Sequence, residues 1–133
     1  MATTHAAATE QAAIEQAIQL YIDGASKGDA AKLKETFHEA AWMLGSIGGQ
    51  RFDMPIAQMI ETLAAQPLDS NGEFSARLTA IEQVGDAATV RLEEDGCWGN
   101  ISFVDFFTLA KIDGAWKIVN KTFAHTGGEM PTG

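Results

Sequence analysis

Residues 101 to 125 read ISFVDFFTLAKIDGAWKIVNKTFAH, two alternating apolar stretches on either side of Asp113-Gly114. An Asp-Gly pair in that setting is a strong hairpin signal, because the turn that matches strand twist needs positive φ at both central positions. Two long paired strands near the end of a chain must be covered by what precedes them, and this narrows the possible folds. In the first strand Ile101, Phe103, Asp105, Phe107 and Leu109 share one face, and Ser102, Val104, Phe106, Thr108 and Ala110 share the other. Asp105 is the anomaly. Aspartate is depleted in strands and seldom buried without a partner, so its place among large apolar neighbours marks it as a pocket candidate.

The earlier chain supplies the cover. Ile14, Ile18, Tyr21, Ile22 and Ala25 fall at helical spacing, and Gly24, Lys27 and Gly28 mark where that helix ends. Asp29 is the expected N-cap of a second helix with Leu33 and Phe37 buried and His38 at its end. A short strand is expected over Ala40 to Leu44, followed by a turn-rich connection from Gly45 to Gln50. A third helix follows Asp53, with Pro55 in its first turn and Ile56, Met59, Ile60 and Leu63 as its stripe, stopped by Pro67. After the Asp69-Ser70-Asn71-Gly72 turn the period changes to two. Phe74, Ala76, Leu78 and Ala80 lead towards Val84, then Ala88, Val90 and Leu92 return after Gly85-Asp86. Asp95 to Asn100 form the next connection.

Three helices with a short strand among them, followed by four hairpin-linked strands, predict an α+β domain. The helices should pack on a strongly curved antiparallel sheet, enclosing a cone-shaped pocket whose mouth suits a small molecule. Residues 1–9 are expected to form a disordered tail, 10–125 a single domain, and 126–133 a loose tail. Large apolar residues on both faces of the last two strands predict a homodimer through the outer sheet face.

Composition removes several function classes. Nine basic against eighteen acidic residues give a net charge of −9, which repels phosphate backbones and anionic lipid, so neither nucleic acid nor membrane is expected as a partner. The single Cys97 has no partner for an internal disulfide. The opening MATTHAAATEQ has neither the basic nor the apolar region of a signal peptide. A cytoplasmic setting is expected. The glycines at 45, 48 and 49 lack the order of a phosphate-binding loop. His38, His125 and Cys97 share no metal-ligand spacing, so no metal is expected.

The segments Tyr21 to Asp29, Phe37 to Trp42, Asp105 to Leu109 and Trp116 to Lys121 resemble the nuclear-transport-factor-2-like (cystatin-like) superfamily over roughly residues 10–125. The closing portion is most similar to the small bacterial group named "putative lumazine-binding", and to polyketide-cyclase-like proteins. Ketosteroid isomerase is a more distant member. The resemblance implies the curved-sheet cone and, by analogy with the isomerase, an oxyanion pair formed by Tyr21 and a protonated Asp105. A carboxylic acid kept neutral by an apolar site can donate a hydrogen bond, and Phe103 and Phe107 would provide that surrounding. Where the isomerase carries its proton-shuttling aspartate, this chain has Met43, Leu44, Gly45 and Ser46.

Two functions follow. One is a binding domain for an apolar small molecule. The other is a cofactor-independent isomerase, dehydratase or cyclase acting on an apolar carbonyl compound by proton transfer. In the second, Asp105 and Tyr21 handle the oxygen and His38 or His125 serves as base. Trp42, Phe103, Phe107 and Lys121 are the expected ligand contacts. Of Asn120 and Lys121, which alternate on the last strand, one can face the cone.

Overall fold

The structure, a computed structural model, describes residues 2–129. Helix α1 (Ala2–Lys27) buries the predicted stripe, with Ile14, Ile18, Tyr21 and Ala25 all at 0 or 1% exposure. It begins at Ala2 and so continues through the stretch expected to be a tail. Gly28, at φ +72°, ends it, and Asp29 caps α2 (Ala30–Thr36) by accepting from the Lys32 backbone N–H at 3.3 Å. Leu33 seats α2 in the core.

The next segment departs from expectation. Phe37 opens strand β1 (Phe37–Ile47), so it does not belong to α2, and the strand continues well past Leu44. Gly48 and Gly49, with φ of 57° and 86°, turn it into β2 (Gln50–Pro55). Asp53 lies in β2, opposite Leu44, and α3 (Ile56–Ala65) starts after Pro55. Helix α3 buries Ile56, Met59, Ile60 and Leu63 as its spacing requires.

The remaining strands follow the sequence reading closely: β3 (Ser75–Val84), β4 (Ala87–Cys97), β5 (Ile101–Ile112) and β6 (Ala115–Gly127). Asp113 and Gly114 have φ of 51° and 82°, the geometry the hairpin requires. Strand β6 reaches Gly127, so the expected tail begins two residues later than 126, and its last residues lie outside those described. The six strands form one sheet in the order β2-β1-β6-β5-β4-β3. β1 joins β6 in parallel while the other neighbours are antiparallel, so the sheet is mixed. Irregularities between Glu94 and Cys97, Ser102 and Phe103, and Thr108 and Leu109 interrupt the ladders, and such bulges bend a sheet.

The three helices lie on the inner face and share one core with Val90, Leu92, Ile101, Phe107, Leu109 and Ile118. Facing away from them, Phe106 is 51% exposed. Among the described residues no helix is long and apolar enough to cross a membrane.

Candidate functional site

Between α3, the hairpin of β1 and β2, and the ends of β4, β5 and β6 lies a cavity of about 150 Å³. That is the size of a cavity that admits a benzene-like ligand. Met43, Phe52, Met54, Met59, Leu63 and Phe123 give it apolar walls, with Phe103 and Trp98 on the β5 side. Leu68 closes one end. Its loop is held by bonds from Leu68 N to Ala25 O (3.0 Å) and from Trp98 N to Leu68 O (2.8 Å). Two ionisable side chains line the space, Glu94 and Lys121. They are 1% and 8% exposed.

Strand geometry brings them there. Phe103, Asp105 and Phe107 face inward from β5, and Leu92 lies opposite Asp105 in β4. Glu94 is two residues beyond Leu92 and therefore shares its inward face. On β6 the alternation turns Lys121 and Phe123 inward and leaves Thr122 exposed. Asn120 faces away from the cavity and accepts from the Thr122 hydroxyl at 2.8 Å. Lys121 is therefore the one of the pair that enters the cone.

Behind the wall stands a second layer. Asp105 is fully buried and does not line the cavity. Its Oδ2 accepts a long hydrogen bond (3.4 Å) from the Tyr21 hydroxyl. Tyr21 packs edge-on against Phe37 and Phe107, with centroids at 5.9 and 5.0 Å. Phe107 thus belongs to this layer and not to the cavity wall. Glu94 Oε2 and Asp105 Oδ1 are buried without a hydrogen-bond donor. An ionised carboxylate only accepts, so a proton retained on Glu94 gives the pair a donor.

Burial holds the Glu94 carboxyl well above the usual carboxylate range, the adjoining Asp105 adds to this, and Lys121 and Tyr21 oppose it. Burial first, and then the charges of Glu94 and Asp105, holds the Tyr21 hydroxyl well above the ordinary phenol range. The Cys97 thiol is likewise pushed up by burial, which makes it a poor nucleophile.

The other sequence candidates lie elsewhere. Trp42 stands on β1 between inward-facing Ala41 and Met43, so alternation turns it out of the cavity. It is 41% exposed and donates from Nε1 to Asp53 Oδ1 at 2.5 Å. His38 is on β1, not at a helix end, because the strand starts one residue before it. There it borders a surface groove beside α2 and α3. His125 is inward-facing beyond Phe123, but both ring nitrogens are engaged. Nδ1 accepts from Gly48 N at 3.3 Å, which leaves Nε2–H to donate to Gly128 O at 2.6 Å. No lone pair remains for a base. Tyr21 and Asp105 therefore meet, but no histidine joins them.

Glu94 escapes the sequence reading because Glu94-Asp95-Gly96 looks like the start of a turn. The signal was present: Ala88, Val90 and Leu92 extended by one more step of two reach Glu94. Among the described residues no group of three or more His, Cys, Asp or Glu is placed to hold a metal ion.

With this geometry in hand, comparison with known proteins is informative. The family described as "Putative lumazine-binding" matches residues 9–124. The curated protein "Aldolase FrzH" from Cladobotryum sp is 27% identical over 119 residues, spanning 90% of this chain and 94% of that protein. An NTF2-like protein from Methylobacillus flagellatus KT is 30% identical with a TM-score of 0.80, covering 89% of this chain and 93% of its own. Another from Silicibacter pomeroyi DSS-3 shares 22% identity and the fold, with a TM-score of 0.82 over 90% of this chain and 98% of its own. The family match over residues 9–124 and the 30% identity to an NTF2-like structure decide the family: the chain belongs to the "Putative lumazine-binding" family and has the NTF2-like fold.

Proposed function

We propose that this domain binds an apolar small molecule of one or two rings that turns a carbonyl oxygen towards Glu94 and Lys121. One observation carries the reading: Glu94 and Lys121 are the ionisable lining groups of an otherwise largely apolar cavity. Apolar walls supply affinity, and a few placed polar groups fix orientation. Phe103 and Lys121 are the ligand contacts in this reading, joined by Glu94. A cytoplasmic location belongs to it too, supported by Cys97 being a buried free thiol.

A polar heterocycle such as lumazine suits these walls less well than an aromatic ketone. Each ring nitrogen or oxygen facing Met43, Met59 or Phe103 would lose its water without gaining a partner. Ligand-observed NMR with acetophenone and with lumazine tests this. Saturable acetophenone binding that weakens in Phe103→Ala supports the reading, and equal behaviour of the two proteins overturns it.

A second reading has its own support: a cofactor-independent enzyme acting on such a carbonyl compound. The likeness to "Aldolase FrzH" extends over most of both chains. Glu94, which burial holds well above the usual carboxylate range, is the group in reach of a substrate oxygen or α-carbon. In this reading Glu94 fills the role left empty at Gly45, and Tyr21 with Asp105 steadies it from behind.

A further inference from the structure

Lys121 is the buried basic side chain among the described residues. Lys111 pairs with Glu10 at 2.6 Å, Lys117 donates to Glu35 O at 2.6 Å, and Arg77 and Arg91 both pair with Glu93. The Nζ of Lys121 has no carboxylate oxygen within ion-pair distance among the described residues. Its hydrogen-bond contacts among the described residues are to two thioether sulfurs, Met59 Sδ at 3.8 Å and Met43 Sδ at 4.0 Å. The rings of Tyr21 and Phe123 flank it, with centroids 5.2 and 5.4 Å away. Sulfur is a weak acceptor, so the three donors of an ammonium find no strong partner here. A primary amine held in an apolar cavity with a carboxyl nearby is the arrangement that amine nucleophiles use towards carbonyl compounds.

We propose that Lys121 forms a reversible imine with an apolar ketone or aldehyde held in the cavity, and that Glu94 moves the protons. This rests on the small-molecule reading and names its substrate class. Once the Lys121 ammonium has given a proton to water, the Nζ lone pair bonds to the carbonyl carbon, and the C=O electron pair moves to oxygen, which takes a proton from the Glu94 carboxyl. The nitrogen returns a proton to Glu94. A further proton from Glu94 lets the hydroxyl leave as water, giving the iminium ion. The Glu94 carboxylate then removes a proton from the α-carbon, and the C–H electron pair moves into the C–C bond while the C=N pair returns to nitrogen. The enamine either takes a proton back at carbon or attacks a second carbonyl of the substrate. Water adds to the iminium and releases product and free Lys121, so one water leaves and one returns.

The test uses the full chain and the β-diketone benzoylacetone, which traps an amine as a stable conjugated adduct with loss of one water. Intact mass should rise by one probe less one water per chain. Peptide mapping should place the adduct on Lys121 at least tenfold faster than on exposed Lys27 or Lys34. Lys121→Arg and Lys121→Met should lose that adduct, with far-UV circular dichroism confirming their fold. Should neither variant fold, the wild-type mapping decides alone. Glu94→Gln should slow the adduct at least tenfold, and an unchanged rate overturns its part. No adduct on Lys121, or labelling no faster than on surface lysines, overturns the imine. Acetophenone binding measured in parallel separates the two readings. If it persists without an adduct, only the imine assignment falls; if it is absent too, the cavity reading falls with it.

Discussion

Glu94 and Asp105 face inward from adjacent strands one alternation apart, Leu92 lying opposite Asp105 and Glu94 opposite Phe103. Each leaves one carboxyl oxygen without a donor in a fully buried setting. Such diagonal neighbours on one sheet face are within side-chain reach. A proton held on Glu94 therefore links the fold's stability to the chemistry of its cavity.

That link predicts a pH dependence with a definite sign. Glu94 is held above its ordinary value of 4.5, so the folded state binds a proton that the unfolded state has released. The resulting stability is fully present below about pH 4.5 and is lost as pH rises towards the folded value, by up to ~1.4 kcal/mol per pH unit. Glu10 and Glu93, held below their ordinary range by hydrogen bonds from Lys111 and Arg91, act with the opposite sign and only on the acid side. Urea unfolding of the wild type across pH 4.5 to 8 should show a decline. Glu94→Gln, which keeps the shape and removes the titrating group, should flatten it. Parallel curves for the two proteins would contradict a proton held on Glu94.

Gly45 explains why no carboxylate stands where the distant isomerase resemblance places one. A Cβ on Gly45 would lie 2.5 Å from the Phe123 ring, which crosses β1 at that point. Phe123 in turn packs edge-on against Phe103 at 5.3 Å and forms part of the cavity wall. Gly45→Ala should force that ring inward, destabilise the fold by about 1–3 kcal/mol and weaken acetophenone binding. Thermal unfolding and ligand-observed NMR measure the two effects. A neutral Gly45→Ala would mean that the ring moves freely and the glycine serves no such purpose.

How far the sequence reveals this site depends on the range of each signal. The Asp113-Gly114 turn and the alternation around Asp105 are local, and both lead to the inward placement found. The stripe of Ile14, Ile18 and Tyr21 likewise sends the Tyr21 hydroxyl to Asp105. β1 is less legible, because Gly45 and Ser46 resemble a turn until the parallel pairing with β6, some eighty residues away, gives them partners. The start of β1 is misread as well: Phe37 opens the strand and takes His38 with it, while alternation between Ala41 and Met43 turns Trp42 outward. Lys121 is decided by a bulge between Thr108 and Leu109, which shifts the register opposite it and carries no local signature. Glu94 is a case of charge masking period.

Moving the ligand contacts from Trp42 to the opposite face of β1 has a direct consequence. Trp98 lines the cavity with its Nε1 donating to Gln66 O at 2.9 Å, whereas Trp42 is bound to Asp53 outside. An aromatic ligand should therefore quench Trp98 emission. Trp98→Phe should remove most of the ligand-dependent change in fluorescence, and Trp42→Phe should leave affinity within about twofold. Trp98 also packs edge-on against Phe103 at 6.3 Å, so its loss should weaken binding by roughly tenfold, or ~1.4 kcal/mol. A quench that disappears in Trp42→Phe and survives in Trp98→Phe would place the ligand elsewhere.

The outer sheet face supports one more expectation, a homodimer. Phe106 projects from β5 at 51% exposure, opposite Thr122 on β6 and Arg91 on β4, with Val104 and Thr108 beside it on its own strand. Val104, Thr108 and Thr122 are small side chains around one large ring, bordered by Arg91, and a second copy can cover that ring in self-complementary fashion. Phe106 is also on the opposite face of β5 from Phe103 and Asp105, so changing it should leave the cavity intact. With a net charge of −9 on each chain, two copies repel at long range, and salt should strengthen their association. Sedimentation equilibrium should show a dimer that tightens with added salt, and Phe106→Glu should give a monomer with unchanged circular dichroism and acetophenone binding. A wild type that sediments as a monomer at all salt concentrations would leave Phe106 a solvent-facing ring with no partner of its own kind.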